Sequence, residues 1–258
     1  MKISTETIRK RKGKQAIVAL TAYDALFAKY ADKAEVDIIL VGDSVASAQL
    51  GMSSTVEVTM ETMVHHTAAV SRGVSRGLLV ADIPFAEAHK GPYALVKSGQ
   101  TLMQQGGAEA IKVEGGESVS EQIRHCVDAG IPVMGHIGLQ PQQFHQLGGY
   151  RKFGKSEREK NQLLEDAKAI ESAGAFSLVL ELCTPELTAE ICREVAIPVI
   201  AIGCRAAADG QILVYTDLLG LNRDSIPPFA PVYAELEKTI EKAYADYVND
   251  VRTHRFIQ

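Results

Sequence analysis

Seven side chains suited to acid–base, electrostatic or hydrogen-bonding chemistry stand at the ends of short apolar runs. Val41-Gly42 leads into Asp43 and Ser44, and Ala81 into Asp82. Lys112 and Glu114 flank Val113, Gly135 precedes His136, and Leu180 precedes Glu181. Asp43, Asp82 and Glu114, brought together without a cation, would repel, and at least one would have to take a proton. A hard divalent ion removes that conflict. Oxygen ligands, and few of them, point to Mg2+, which keeps waters and shares its ligation with substrate. Chelated by the carboxylate and keto oxygens of a 2-oxo acid, such an ion acts as a Lewis acid. It stabilises the enolate formed when a proton leaves C3. Lys112 could neutralise the substrate carboxylate or the enolate, and Ser44 with its N–H could hold another carboxylate oxygen. Glu181 could serve as general acid/base, and His136 could polarise or orient a substrate oxygen.

Each residue also has a plainer reading. Asp43 and Asp82 could cap the helices that follow them. Lys112 and Glu114, two apart on a strand, could be a same-face ion pair. His136 could be a satisfied core histidine, and His65-His66, on a Met/Val-lined helical stretch, reads as structural. Glu181 resists such a reading, because a carboxylate closing a buried strand is costly unless it has a role.

These residues need elements that bring them to one place. Eight short, nearly continuous apolar runs recur: Ala16–Leu20, Ile38–Val41, Leu78–Ala81, Ala110–Val113, Val133–Gly135, Ser177–Leu180, Val199–Ile202 and Ile212–Tyr215. Such runs suit parallel strands covered on both faces. Amphipathic stretches alternate with them: Asp24–Glu35, Met60–Arg72, Ala94–Gln105, Ser118–Ala129, Glu157–Ala173 and Pro185–Val195. Gly106-Gly107, Gly130 and Gly174 fall where helices would end. Eight strand–helix units predict a closed (β/α)8 barrel, in which all the C-terminal strand ends share one face, the usual place of an active site. A doubly wound sheet would want a Gly-x-Gly-x-x-Gly turn after the first strand, and none occurs. Past Pro227-Pro228 a further amphipathic helix is expected over about 230–252. The whole chain, 1–258, reads as one barrel domain.

Composition limits the classes. Apolar residues make up 46% of the 258 residues, charged residues 23%, and the net charge is −5. No basic stripe favours nucleic acid or an anionic membrane. Cys126, Cys183, Cys192 and Cys204 form no Cys-x-x-Cys or zinc spacing, which reads as reduced thiols in a cytoplasm. The N-terminal MKISTETIRKRKGKQ lacks the apolar run of a signal peptide.

In-order motifs carry a resemblance across nearly the whole chain. They include Thr21-Ala22-Tyr23-Asp24, Val41-Gly42-Asp43-Ser44, His66-Thr67-Ala68-Ala69-Val70, Ala81-Asp82-Ile83-Pro84-Phe85 and Lys112-Val113-Glu114-Gly115-Gly116. Gly135-His136-Ile137-Gly138-Leu139, Gly148-Gly149-Tyr150, Leu178-Val179-Leu180-Glu181 and Asp209-Gly210-Gln211-Ile212-Leu213-Val214 continue them. The chain resembles the ketopantoate hydroxymethyltransferase family, within the phosphoenolpyruvate mutase/isocitrate lyase group of barrels. The resemblance implies transfer of a hydroxymethyl group from 5,10-methylenetetrahydrofolate to 3-methyl-2-oxobutanoate, giving 2-dehydropantoate for pantothenate biosynthesis. It implies Asp43, Asp82 and Glu114 as the Mg2+ site. It also implies Ser44, Asp82 and Lys112 as oxo-acid contacts, Glu181 as proton acceptor, and a large homo-oligomer, commonly a decamer.

The chain departs from the family pattern at Val45-Ala46-Ser47, Ser53-Ser54-Thr55-Val56-Glu57, Ala86-Glu87-Ala88-His89, Gln140 and Gly203-Cys204-Arg205. Arg205 places a cation where the family has a small residue. It could meet an extra carboxylate on a different substrate or folate tail, or sit in a surface ion pair. A metal-dependent aldolase using another 2-oxo acid or a free aldehyde is therefore an alternative. A non-catalytic metabolite-binding paralogue is a second. Lyase chemistry is disfavoured, because no cysteine follows strand four or five in a loop.

Overall fold

The computed structural model describes residues 1–205, 208–221 and 226–256. Eight strands follow one another around a closed barrel: β1 (Ile17–Thr21), β2 (Ile38–Val41), β3 (Leu78–Asp82), β4 (Ala110–Glu114), β5 (Val133–Gly138), β6 (Ser177–Glu181), β7 (Val199–Ile202) and β8 (Gly210–Leu213). Successive pairs from β1 to β8 run parallel. The architecture is the expected (β/α)8 barrel. Helices Ala25–Lys33, Met60–Ser71, Pro92–Gln104, Ser120–Asp128, Glu157–Ser172 and Pro185–Glu194 connect the strands, each within two residues of its expected bounds.

Local chemistry starts several of these helices. The Asp24 carboxylate accepts the N–H groups of Leu26 and Phe27 at 2.8 and 2.9 Å. Thr59 and Ser156 accept the N–H groups of Thr62 and Glu159. Each side chain satisfies donors that the first turn leaves open.

The barrel interior explains how the strands aim their polar ends. Ile38, Leu40, Leu78, Val80, Ala110, Met134, Val179 and Ile200 belong to one buried cluster. Side chains of a strand alternate between faces, so residues two apart share a face. Continuing each inward row toward the C-terminal end reaches Asp82 on β3, Lys112 and Glu114 on β4, His136 on β5 and Glu181 on β6. Apolar layers thus fill the lower barrel, and titratable groups form its top layer.

The N-terminus and the last strand differ from the sequence reading. The basic N-terminus contains a helix, Thr5–Lys10, with a Ser4/Thr7 capping box. Its Ile8, together with Ile3, joins the interior cluster, fully buried in the case of Ile8. Arg11–Asp37 at 2.6 Å and Lys12–Asp209 at 2.7 Å tie the segment to the strand starts. In addition, β8 lies at Gly210–Leu213, not Ile212–Tyr215. Gly210 passes so close to β1 that a Cβ would sit 2.5 Å from the Ile17 carbonyl oxygen, and Tyr215 already begins a short helix.

The chain divides into two compact units, Met1–Ile212 and Leu213–Gln258, where the sequence reads as one domain. The second unit has its own backbone bonds. The N–H groups of Tyr233, Leu236 and Glu237 donate to the carbonyls of Leu218, Leu219 and Gly220. Its long helix spans Leu236–Arg252 and starts later than 230, five residues past Pro231. Among the described residues, no helix is long and apolar enough to cross a membrane.

Candidate active site

Lys112 is the hub of the top layer. Its Nζ lies 3.1 Å from Asp82 Oδ1, 3.1 Å from His136 Nδ1 and 3.9 Å from Glu114 Oε1. The sheet register makes this possible, because Asp82 pairs with Lys112 and Glu114 with His136 across neighbouring strands. His136 continues the chain of contacts. Nδ1 is 3.4 Å from Glu114 Oε1, and Nε2 is 3.2 Å from Glu181 Oε2. Asp82, Lys112, Glu114 and His136 are all buried, and the Glu181 side chain keeps 14% of its surface exposed.

Asp43 enters from the β2 end. Its N–H donates to Asp82 Oδ2 at 3.0 Å. The next residue, Ser44, shares a hydrogen bond of 2.8 Å with the buried Tyr23 hydroxyl. Gly42, just before them, leaves room for this bond, since a Cβ there would stand 2.6 Å from Ser44 Oγ and the hydroxyl would have to turn away.

The electrostatics follow from burial. Burial raises the Asp43 carboxyl well above its ordinary range, and the charges of Asp82 and Glu114 add to that. Burial also raises Asp82, against the pull of Lys112 and the Asp43 N–H. Glu114 would be raised by burial too, but bonding to His136 and the charges of His136 and Lys112 hold it below the usual value. For His136, burial and Lys112 push downward, and Glu114 and Glu181 outweigh them, giving a value of about 9. Lys112 is held well above its ordinary value, because Asp82, Glu114 and Asp43 overcome the cost of burial.

Neither Asp43 nor Asp82 caps the helix that follows it. The short helices Val45–Ala48 and Phe85–Ala88 have Ser44 and Pro84 at their N-caps, without side-chain caps. Lys112 and Glu114 are more than a pair, since Lys112 lies nearer to Asp82 and His136. His136 is buried with a carboxylate at each ring nitrogen, Glu114 at Nδ1 and Glu181 at Nε2. His66 is structural, its Nδ1 bonding the Tyr23 carbonyl at 2.8 Å. Arg205 follows β7, is exposed, and has φ +53°, an uncommon backbone for a side-chain-bearing residue.

Three residues escaped the sequence reading. Gln142, in the turn after β5, donates through Nε2 to Asp43 Oδ2 and to the Ile83 carbonyl, each at 2.8 Å, and through its N–H to Glu114 Oε2 at 3.1 Å. Tyr23 steadies Ser44. Tyr150 is largely exposed at its ring. Burial of its hydroxyl end and the charges of Glu181, Asp43 and Glu114 raise its phenol. Tyr23 and Tyr150 lie in quoted motifs and Gln142 three residues past one, but loop residues have no period that aims them.

The fit of a metal rests on the donor set. Four carboxylates, those of Asp43, Asp82, Glu114 and Glu181, surround Lys112 and His136, an excess of acidic over basic groups that a divalent cation would offset. Asp82 Oδ1, Glu114 Oε1 and His136 Nε2 make no well-aligned hydrogen bond among the described residues, although each faces an ion-pair partner, Lys112 at 3.1 Å, His136 at 3.4 Å and Glu181 at 3.2 Å respectively. Asp43 and Asp82 fit Mg2+, which binds through one or two carboxylates and keeps its remaining positions for water and substrate. The expected trio is not gathered as one ligand set. Among the described residues, no group of three or more His, Cys, Asp or Glu side chains is arranged to hold an ion. The reason is Glu114, whose oxygens face Lys112, His136 and the Gln142 N–H.

Comparison with known proteins places this geometry in a family. Residues 2–258 match the family described as Ketopantoate hydroxymethyltransferase. The 3-methyl-2-oxobutanoate hydroxymethyltransferase of Bacillus velezensis is 46% identical over 256 residues, 99% of this chain and 92% of that protein. Its namesake from Bacillus subtilis is 45% identical over the same shares. In fold, the chain is similar to 2,3-dimethylmalate lyase, a PEP mutase/isocitrate lyase superfamily member. That likeness has a TM-score of 0.62 at 18% identity and covers 98% of this chain and 89% of that one. The phosphoenolpyruvate phosphomutase of Streptomyces platensis gives a TM-score of 0.63 at 14% identity, over 97% and 88%. The chain is an enzyme of the ketopantoate hydroxymethyltransferase family.

Proposed function

We propose that the enzyme adds a one-carbon unit from 5,10-methylenetetrahydrofolate to 3-methyl-2-oxobutanoate, giving 2-dehydropantoate, with Mg2+ held by Asp43 and Asp82. The observation that carries this reading is the top layer itself: Asp82, Lys112, Glu114, His136 and Glu181 converge with Asp43 at adjoining strand ends. The ion, when bound, supplies Lewis-acid stabilisation of charge on the keto oxygen. Lys112 offers its ammonium to the substrate carboxylate, and the Ser44 hydroxyl, steadied by Tyr23, orients it. Glu181, the most exposed of the carboxylates named here, accepts the proton from C3. His136 joins Glu181 to Glu114 and fixes the direction in which Glu181 faces. Glu114 balances the two cations beside the metal carboxylates.

The spacing of Ile240, Tyr244, Tyr247, Val248 and Val251 on the Leu236–Arg252 helix puts them on one face. That pattern supports the homo-oligomer the resemblance implies. Arg205, exposed beside the barrel mouth, favours a second reading in which the oxo acid or the donor carries an added carboxylate. One assay separates the two. Purified enzyme with Mg2+ should form 2-dehydropantoate from 3-methyl-2-oxobutanoate and 5,10-methylenetetrahydrofolate. Turnover only with a more acidic oxo acid, or only with free formaldehyde, would replace the first reading by the alternative.

A further inference from the structure

Gln142 bonds to three elements that the chemistry requires to be in register, yet it has no acid–base chemistry of its own. Its side-chain nitrogen meets two acceptors, Asp43 Oδ2 and the Ile83 carbonyl, at 2.8 Å each. A flipped amide would set an oxygen against two oxygens, so the donor assignment is fixed by the network. Its main-chain N–H meets Glu114 Oε2 at 3.1 Å. The residue is buried, so none of these bonds is exchanged freely for water, and losing one leaves a buried acceptor unpaired.

We propose that Gln142 is a positioning residue that turns Asp43 toward the metal. The Ile83 carbonyl belongs to the strand end that carries Asp82, so the amide couples the β2 end to the β3 end through one rigid group. One Asp43 oxygen is taken by the amide, a bond that would turn the carboxylate so that its other oxygen meets the ion. The main-chain N–H does the same for Glu114, leaving Oε1 to Lys112 and His136. Ligand-orienting hydrogen bonds of this kind typically govern metal affinity or activity by about 10–100-fold.

The inference rests on the metal reading above, and the test keeps the two apart. Mn2+ serves as the probe, titrated into the purified full-length chain and followed by electron paramagnetic resonance of the free ion, beside steady-state kinetics. Gln142→Met keeps the side-chain length and removes the donor. It should weaken Mn2+ binding and lower kcat, each by about 10–100-fold, with no change in the far-ultraviolet circular dichroism. Gln142→Asn keeps the amide but shortens its reach by one methylene. It should lose affinity in the same direction, and it carries the test alone if the methionine variant does not fold. Variants that fold and bind Mn2+ within twofold of wild type overturn the positioning role while leaving the metal reading standing. Wild type that does not bind Mn2+ overturns both.

Discussion

Replacing Lys112 by methionine removes the one cation that Asp82, Glu114 and Asp43 share, and its cost can be worked from the geometry. At an effective dielectric of about 20, a charge 3.1 Å from Asp82 and 3.9 Å from Glu114 gains about 5 and about 4 kcal/mol before desolvation. Desolvation removes much of that. Taking away one partner of a buried pair typically costs about 3–5 kcal/mol, because the remaining charge is left uncompensated. The carboxylates can recover part of the loss by taking protons. Asp43 and Asp82 already have raised values with Lys112 present, and without it they rise further. A carboxylate raised in the folded state binds protons more tightly there than in the unfolded chain, so stability falls as pH rises through its folded value. The variant's deficit against wild type should therefore be about 3–5 kcal/mol at pH 8 and clearly smaller at pH 5.5. Urea unfolding of both proteins at the two pH values measures it. A deficit under about 1 kcal/mol at pH 8, in the range of an exposed pair, or a deficit that grows on acidification, would refute this reasoning.

Two further outcomes follow from the same structure. The His136 value of about 9 lies above the unfolded 6.5, so its stabilisation is complete below pH 6.5 and is lost as pH rises through about 9. The shift corresponds to about 3 kcal/mol. An NMR titration of the histidine ring protons should show one site with a midpoint near that value, missing in His136→Asn, and a midpoint near 6.5 would contradict the buried bridge between Glu114 and Glu181. Ile8→Ala should cost about 2–5 kcal/mol by thermal or urea unfolding, since Ile8 is fully buried in the barrel interior; a cost below about 0.5 kcal/mol would mean the N-terminal helix does not close the barrel.

Much of this was legible in the sequence, and the reasons differ by element. Buried parallel strands must be apolar on both faces, so seven of the eight strand positions stood out as continuous runs. β8 did not, because its place is set by a glycine pressed against β1, and a contact between backbones leaves no apolar trace. The Thr5–Lys10 helix was hidden because only Ile3 and Ile8 in a basic segment touch the core, and two residues make no period. The top-layer groups were legible once the barrel was assumed, since Lys112 and Glu114, then His136 and Glu181, share the inward parity of the strands beneath them. The place of Glu114 was not. Its carboxylate is drawn to Lys112, His136 and the Gln142 N–H, and strand position alone does not say which neighbour a side chain will prefer. Gln142 was unreadable for a related reason: it lies beyond the strand, where only the path of the turn decides its direction.

The claim on which the account turns is that this layer removes a proton from C3 of a 2-oxo acid. It is tested by holding the protein with Mg2+ and 3-methyl-2-oxobutanoate in D2O, without folate, and following the C3 proton by NMR. Wild type should exchange it, while Glu181→Gln should still bind Mg2+ and exchange it about 10²–10⁴-fold more slowly. Equal rates in the two proteins, or no exchange by a wild-type enzyme that binds the ion, would contradict the assignment of Glu181 and of the layer around it.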